Sequence, residues 1–145
     1  MKNCKMVMTK KIVCCEPNDL VSKAAKLMKS ENVGSIPIVE NGQTKKLVGI
    51  VTDRDLTLRV LAEGLDARST KVDEVMTRKM VTCFADDSLH TALDVMAEHQ
   101  LRRIPVVTTK NKILGMISQA DVAMRYDHPK RTVAMVEGIS RANGV

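Results

Sequence analysis

Aromatic side chains are almost missing from this chain. Among 145 residues there is no tryptophan, one phenylalanine (Phe84) and one tyrosine (Tyr126). That removes the stacking platforms on which single-stranded nucleic acid is usually held. The core must be aliphatic, filled by Leu, Ile, Val, Ala and the ten methionines, whose flexible thioethers suit irregular gaps. Any flat ligand would have to lie between aliphatic side chains. Long apolar runs are missing too. Lys5, Lys10 and Lys11 interrupt the first residues, which excludes a signal-peptide core there. No stretch approaches the length of a membrane span, so a cytoplasmic protein that does not engage a membrane is expected. The metal and redox cysteine patterns are missing as well: the four cysteines, Cys4, Cys14, Cys15 and Cys83, match neither a CxxC nor a zinc spacing. Adjacent Cys14 and Cys15 would point to opposite faces of a strand. Buried reduced thiols and no bound metal are the expectation. His90, His99 and His128 are scattered and pair with no nucleophile by sequence logic. No catalytic residue and no catalytic cofactor are expected.

What is present is the balance of an ordinary folded protein: 44% apolar and 28% charged residues. The formal net charge is +6 and the pI is near 9.3, which favours anionic partners in a general way. Nucleic acid is an unlikely partner, because no recognition motif accompanies the charge.

The chain repeats itself. Val7 to Val39 aligns without gaps on Val75 to Val107, a shift of 68 residues. Identical pairs include Met8/Met76, Thr9/Thr77, Asp19/Asp87, Met28/Met96 and Pro37/Pro105. A connection two residues shorter in the second copy then aligns "GIVTDRD" (Gly49–Asp55) with "GMISQAD" (Gly115–Asp121). Each copy reads as β-α-β-β-α. An extended start segment lies around Ile12–Cys15 or Met80–Cys83. A helix follows, with the apolar stripe Val21, Ala24, Ala25, Met28 or Leu89, Ala92, Leu93, Met96; Asn18 or Asp19 is its expected cap in the first copy. A strand, "SIPIV" or "RIPVV", precedes a hairpin, where Asn41-Gly42 supplies a turn signal in the first copy. The returning strand ends at Thr52 or Ser118, where a last helix begins. Gly64 and Pro129 mark the stops. One such unit cannot cover its own sheet, so the expected fold is α+β, with two pseudo-twofold-related repeats packed sheet to sheet. The expected division is 1–68 for the first repeat with its linker, 69–127 for the second, and 128–145 for a C-terminal tail. That tail is either a helix packed on a partner or a frayed end.

The repeated Thr/Ser-x-x-Asp has two readings. Thr52 and Ser118 are good helix caps, with Asp55 and Asp121 at the third helical position; a capping box prefers the longer Glu or Gln there. A carboxylate at a cleft rim can also accept bonds from two vicinal hydroxyls, as acidic residues do with ribose. Gly49 and Gly115, inside apolar strands, mark close approach by a ligand or by another backbone. In the second copy Arg102 and Arg103 suit phosphate oxygens. Their counterparts, Gly34 and Ser35, bring no charge.

Together, "VMT" at each start, "SIPIV" and "RIPVV", and "GIVTDRD" and "GMISQAD" resemble the tandem cystathionine β-synthase (CBS) domain pair, or Bateman module. The resemblance runs from about Cys4 to Asp127, and it is nearest to small bacterial proteins made of one such pair. It implies a regulatory module that binds an adenosine ligand (AMP, ADP, ATP or S-adenosylmethionine) in clefts between the halves and signals through conformation or dimer geometry. By position, Asp55 and Asp121 would hold ribose hydroxyls, with Thr52 and Ser118 beside them. Arg102 and Arg103 match phosphate-binding positions. The resemblance also implies that the sites cross the repeats: the adenine at the Asp121 site would lie against Lys10, Lys11, Ile12, Val33, Gly34, Ser35 and Ile36, and that at the Asp55 site against Lys79, Met80, Leu101 and Ile104. The resemblance further implies a homodimer and a regulated protein that it does not identify. The alternative is a basic nucleic-acid-binding or purely structural dimerisation module.

Overall fold

A computed structural model describes residues 2–142. In chain order the α-helices and strands are α1 (Cys4–Val7), α2 (Val21–Glu31), β1 (Ser35–Val39), β2 (Leu47–Thr52), α3 (Asp53–Leu56), β3 (Cys83–Phe84), α4 (Leu89–His99), β4 (Arg103–Val107), β5 (Ile113–Ser118), α5 (Gln119–Arg125) and α6 (Pro129–Ala142), with a π-helical turn, Thr57–Leu61, continuing α3 and a short 3-10 turn at Val72–Glu74. The expected α+β class is what is found. Two compact units form: Val13–Met80, and the residues up to Ile12 together with Val81 onward.

Sequence repeat and compact unit are therefore different sets of residues. The "VMT" stretch that opens each start segment, ahead of Ile12–Cys15 or Met80–Cys83, packs with the other copy's hairpin, while Cys15 and Cys83 pair with their own copy. In the unit built on Val81 onward, Thr9 pairs antiparallel with Met116, through Thr9 N–H to Met116 O at 2.8 Å and Met116 N–H to Thr9 O at 3.1 Å. In the Val13–Met80 unit, Thr77 pairs with Ile50 in the same way, at 2.9 and 3.0 Å. The polar stretch before each start segment also caps a helix. Thr70 O and Ala67 O accept the first amides of α2, and Lys2 O accepts the first amide of α4. These main-chain carbonyls satisfy donors that have no partner inside a helix.

That arrangement explains why the expected side-chain cap on α2 is absent. Leu20 occupies the capping position with no side-chain cap bond, and Asp19 meets α2 through the Lys23 ammonium, 3.2 Å from its Oδ1, rather than through a helix amide. Asp19 accepts Glu16 N–H at 2.7 Å instead, and Asp87 accepts Phe84 N–H at 2.9 Å in the matching turn. Both helices stop at a left-handed residue that is not glycine, Asn32 (φ 54°) and Gln100 (φ 59°).

The hairpins match residue for residue. In β1–β2 Ser35 faces Thr52, and in β4–β5 Arg103 faces Ser118. Both registers shift at the same place, between Ile38 and Val39 and between Val106 and Val107. Cys15 bridges to Ile38 on the outer side of the first hairpin, and β3 runs parallel to β4 on the second. Each unit has its own aliphatic core. One gathers Val21, Ala24, Met28, Ile36, Ile38 and Val51; the other gathers Leu89, Leu93, Met96, Ile104 and Ile117.

The glycines in β2 and β5 answer to the start segments rather than to an open cleft. A Cβ on Gly115 would sit 2.7 Å from Thr9 O and 2.8 Å from Met8 Sδ, and one on Gly49 would sit 2.5 Å from Met76 Sδ. The methionine of each "VMT" lies over the glycine of the motif. Residues 128–142 also belong to the core. Helix α6 packs on α4 and buries Met135 and Ile139, while residues 143–145 of the expected tail lie outside the described residues.

Candidate functional site

Each motif closes a full reciprocal capping box. Thr52 Oγ1 accepts Asp55 N–H at 3.1 Å, and Asp55 Oδ2 accepts Thr52 N–H at 2.9 Å. Ser118 and Asp121 repeat this at 3.1 and 2.9 Å. The short Asp side chain reaches back because both cap residues are extended, with φ near −114° and ψ near 165°. The preference for Glu or Gln at this position does not decide the matter here.

The box uses one carboxylate oxygen and leaves the other. Oδ1 of Asp55 lies 3.8 Å from Arg59 Nε, and Oδ1 of Asp121 lies 3.8 Å from a terminal guanidinium nitrogen of Arg125. Both Asp side chains are mostly covered, 14% and 15% exposed. Both arginines also tie down the incoming start segment. Arg59 donates to Val75 O at 2.9 Å, and Arg125 donates to Val7 O and Met8 O at 3.1 and 3.3 Å. Sequence reasoning missed these two arginines. The signal was available, because Asp and Arg are four apart in "DLTLR" and in "DVAMR", neighbours on one helix face.

Thr9 was missed as well. Its hydroxyl donates to Asp121 Oδ1 at 3.0 Å. Thr77 holds the matching position beside β2, yet among the described residues the only side-chain hydrogen bond to Asp55 is the amide of Thr52.

The predicted residues fall into two sets. With Asp121 and Ser118, the unit built on Val81 onward contains Lys10, Lys11, Ile12, Leu101, Arg102, Arg103 and Ile104. Arg102 O accepts Gln119 N–H at 3.0 Å, which places the arginine pair directly at the start of α5. Lys10, Lys11 and Arg102 are exposed, and Arg103 is half-buried. With Asp55 and Thr52, the Val13–Met80 unit contains Val33, Gly34, Ser35, Ile36, Lys79 and Met80. Gly34 O accepts Asp53 N–H at 2.9 Å, in the same manner. Ile36 and Ile104 have no exposed surface and fill the two cores.

The thiols are all free; Cys4, Cys15 and Cys83 are buried and Cys14 is half-buried. Burial raises Cys14, and it raises Cys15 to about 11. Cys4 and Cys83 hydrogen-bond to each other, which holds the Cys4 thiol below and the Cys83 thiol above the ordinary range. Among the described residues no group of three His, Cys, Asp or Glu gathers to hold a metal, and no helix is long and apolar enough to cross a membrane.

Comparison with known proteins gives the same repeat. The CBS domain model matches twice, over residues 4–62 and 72–128. The chain is 38% identical over 143 residues to the CBS domain-containing protein YhcV of Bacillus subtilis (strain 168), covering 99% of each. It is 41% identical over 144 residues to the protein YlbB of the same organism, covering 99% of this chain and 95% of that one. Among solved structures, Hypoxic Response Protein I, solved with two coordinated zinc ions, superposes with a TM-score of 0.77 at 28% identity, covering 87% of this chain and all of that one. A CBS domain pair solved with 5′-methylthioadenosine and S-adenosyl-L-methionine superposes with a TM-score of 0.74 at 25% identity, over 86% of this chain and 94% of that one. With two matches that together span most of its length, the chain belongs to the CBS domain family.

Proposed function

We propose that this protein is a regulatory module that binds an adenosine-containing ligand and is not itself an enzyme. One observation carries the reading. In both units a mostly covered aspartate has one oxygen fixed by the helix cap and the other, Oδ1, 3.8 Å from an arginine, with the Thr9 hydroxyl also donating to Oδ1 at Asp121. A carboxylate held this way can accept the two hydroxyls of a ribose without rearranging its own backbone. The cap hydroxyls of Thr52 and Ser118 accept an amide proton, which leaves their own protons to donate to the ligand. Arg102, Arg103 and Lys10 supply positive charge beside Asp121 for a phosphate or other anionic group. The CBS domain pair that was solved with two adenosine compounds supports this ligand class.

Binding becomes a signal only if the ligand favours one arrangement of the protein by differential affinity. We place that arrangement in a homodimer, whose geometry would shift on binding and so be read by a regulated protein. Sedimentation with and without ligand tests this part directly.

Calorimetry with AMP, ADP, ATP, 5′-methylthioadenosine and S-adenosylmethionine tests the reading itself. At least one is expected to bind, and Asp55→Asn or Asp121→Asn to weaken binding at its own site by about tenfold or more, since a hydrogen bond to a charged group contributes roughly 1.5–3 kcal/mol. No binding by any of the five would sink the proposal.

A further inference from the structure

We infer that Thr9 is an internal competitor for Asp121: its hydroxyl occupies the carboxylate oxygen that a ligand hydroxyl would need, so the two sites are unequal and the Asp55 site fills first. This rests on the adenosine reading above and adds to it the rule that ranks the sites.

Asp121 is the more heavily engaged of the two aspartates. Its Oδ2 accepts Ser118 N–H at 2.9 Å, and its Oδ1 accepts the Thr9 hydroxyl at 3.0 Å with Arg125 at 3.8 Å. Asp55 has the first and third of these partners, Thr52 N–H at 2.9 Å and Arg59 at 3.8 Å, but not the second. A hydroxyl donated to Oδ1 is the same chemical group that a ribose would offer. The Thr9 hydroxyl is well placed to stay there. Its backbone is pinned on both sides by the pair of hydrogen bonds to Met116, at 2.8 and 3.1 Å. Threonine has few χ1 rotamers, so the hydroxyl has little freedom to leave without ligand pressure. A ligand at Asp121 must therefore rotate the Thr9 side chain away or share its oxygen. A ligand at Asp55 displaces no such group.

The ranking runs against the arginines. Arg102 and Arg103 lie beside Asp121, whereas the Asp55 site has Gly34 and Ser35 in their place. Charge alone would favour the Asp121 site. The Thr9 bond makes that site conditional on displacing a protein group, which suits a site that fills only at higher ligand concentration. Residue 9 also lies close to where the chain passes from one unit to the other, at Ile12–Val13. Its release on binding would loosen a segment that connects them.

The test is calorimetry on the full chain with whichever of the five adenosine compounds binds. Thr9→Val should tighten the weaker phase by about tenfold, equivalent to about 1.4 kcal/mol. Thr9→Ser, which keeps the hydroxyl, should behave as wild type, and so should Thr77→Val. In the double variant with Asp121→Asn the gain should vanish, which assigns it to that carboxylate rather than to a general change in packing. Asp55→Asn should remove the tighter phase. Binding that Thr9→Val weakens or leaves unchanged overturns the inference and leaves the adenosine reading standing. Absence of binding by wild type and by Thr9→Val alike overturns the adenosine reading and the inference with it.

Discussion

Replacing Ile139 with alanine is expected to lower the unfolding free energy by about 2–5 kcal/mol, the range for truncating a large aliphatic side chain in a packed core. Ile139 lies 14 residues beyond the end of α5 at Arg125 and is only 1% exposed. It shares a core with Leu89, Leu93 and Met96 of α4, and Met135 one turn earlier is equally covered. The helices approach closely because Gly138 has no side chain; a Cβ there would lie 2.7 Å from Ala97 Cβ. Val133 on the same helix is 54% exposed, so Val133→Ala should stay within about 0.5 kcal/mol of wild type. Urea denaturation decides the matter: the midpoint should fall for Ile139→Ala with an unchanged slope, and hardly move for Val133→Ala. Equal midpoints for the two variants would mean that α6 is an appendage and not part of the core.

That helix shows where sequence reasoning stops. The apolar stretch "VAMVEGI" is short, and it reads equally as a helix packed on a partner or as a frayed end. The glycine is there for the sake of Ala97, a residue 41 positions away, and no local pattern reports such a contact. The stripes of α2 and α4 were legible because helical spacing survives whatever they pack against, save that Ala25 of the α2 stripe is exposed and Leu27 packs on the core instead. The hairpins were legible because turn residues and apolar runs are local features. The exchange of start segments was legible only through the family resemblance, and only in part: Lys10–Ile12 and Lys79–Met80 join the other copy's unit, whereas Val33–Ile36, Leu101 and Ile104 stay with their own. Thr9 and Thr77 sit in nearly identical surroundings, "VMTKK" and "VMTRK", so the sequence is equally compatible with each pairing within its own copy or with the other. The cap on α2 was misread for the same reason. Its donors are satisfied by Ala67 and Thr70 from a stretch that reads as a linker. In the candidate site, the residues that came from the repeat itself were legible: Thr52, Asp55, Ser118 and Asp121. Thr9 was not, because its partner, the Asp121 carboxylate, lies 112 residues away; Arg125 was legible in its spacing from Asp121 but not in its bonds to Val7 O and Met8 O.

Gly115→Ala should destabilise the protein by about 1–3 kcal/mol, the range for overpacking a filled interior, and Gly49→Ala should cost distinctly less. Neither glycine has a positive φ; among the described glycines only Gly64 does, at 69°. Alanine therefore suits both backbones, and the cost is one of space alone. The two spaces differ in what bounds them. At Gly49 all three of the nearest atoms belong to the flexible side chain of Met76, with Sδ at 2.5 Å, and thioether rotation can open room. At Gly115 the nearest atom is the main-chain oxygen of Thr9, at 2.7 Å, with Met8 Sδ behind it at 2.8 Å. That oxygen is the acceptor for Met116 N–H, so it can yield only by loosening the pairing that holds the start segment. The same shift would draw the Thr9 hydroxyl away from Asp121, because both sit on one residue. Gly115→Ala should thus lose stability and also show faster amide exchange at Met116, while Gly49→Ala leaves that amide protected. Equal losses for the two variants would show that the start segment near Thr9 moves as freely as a methionine side chain, and the Thr9–Asp121 contact could then rank nothing.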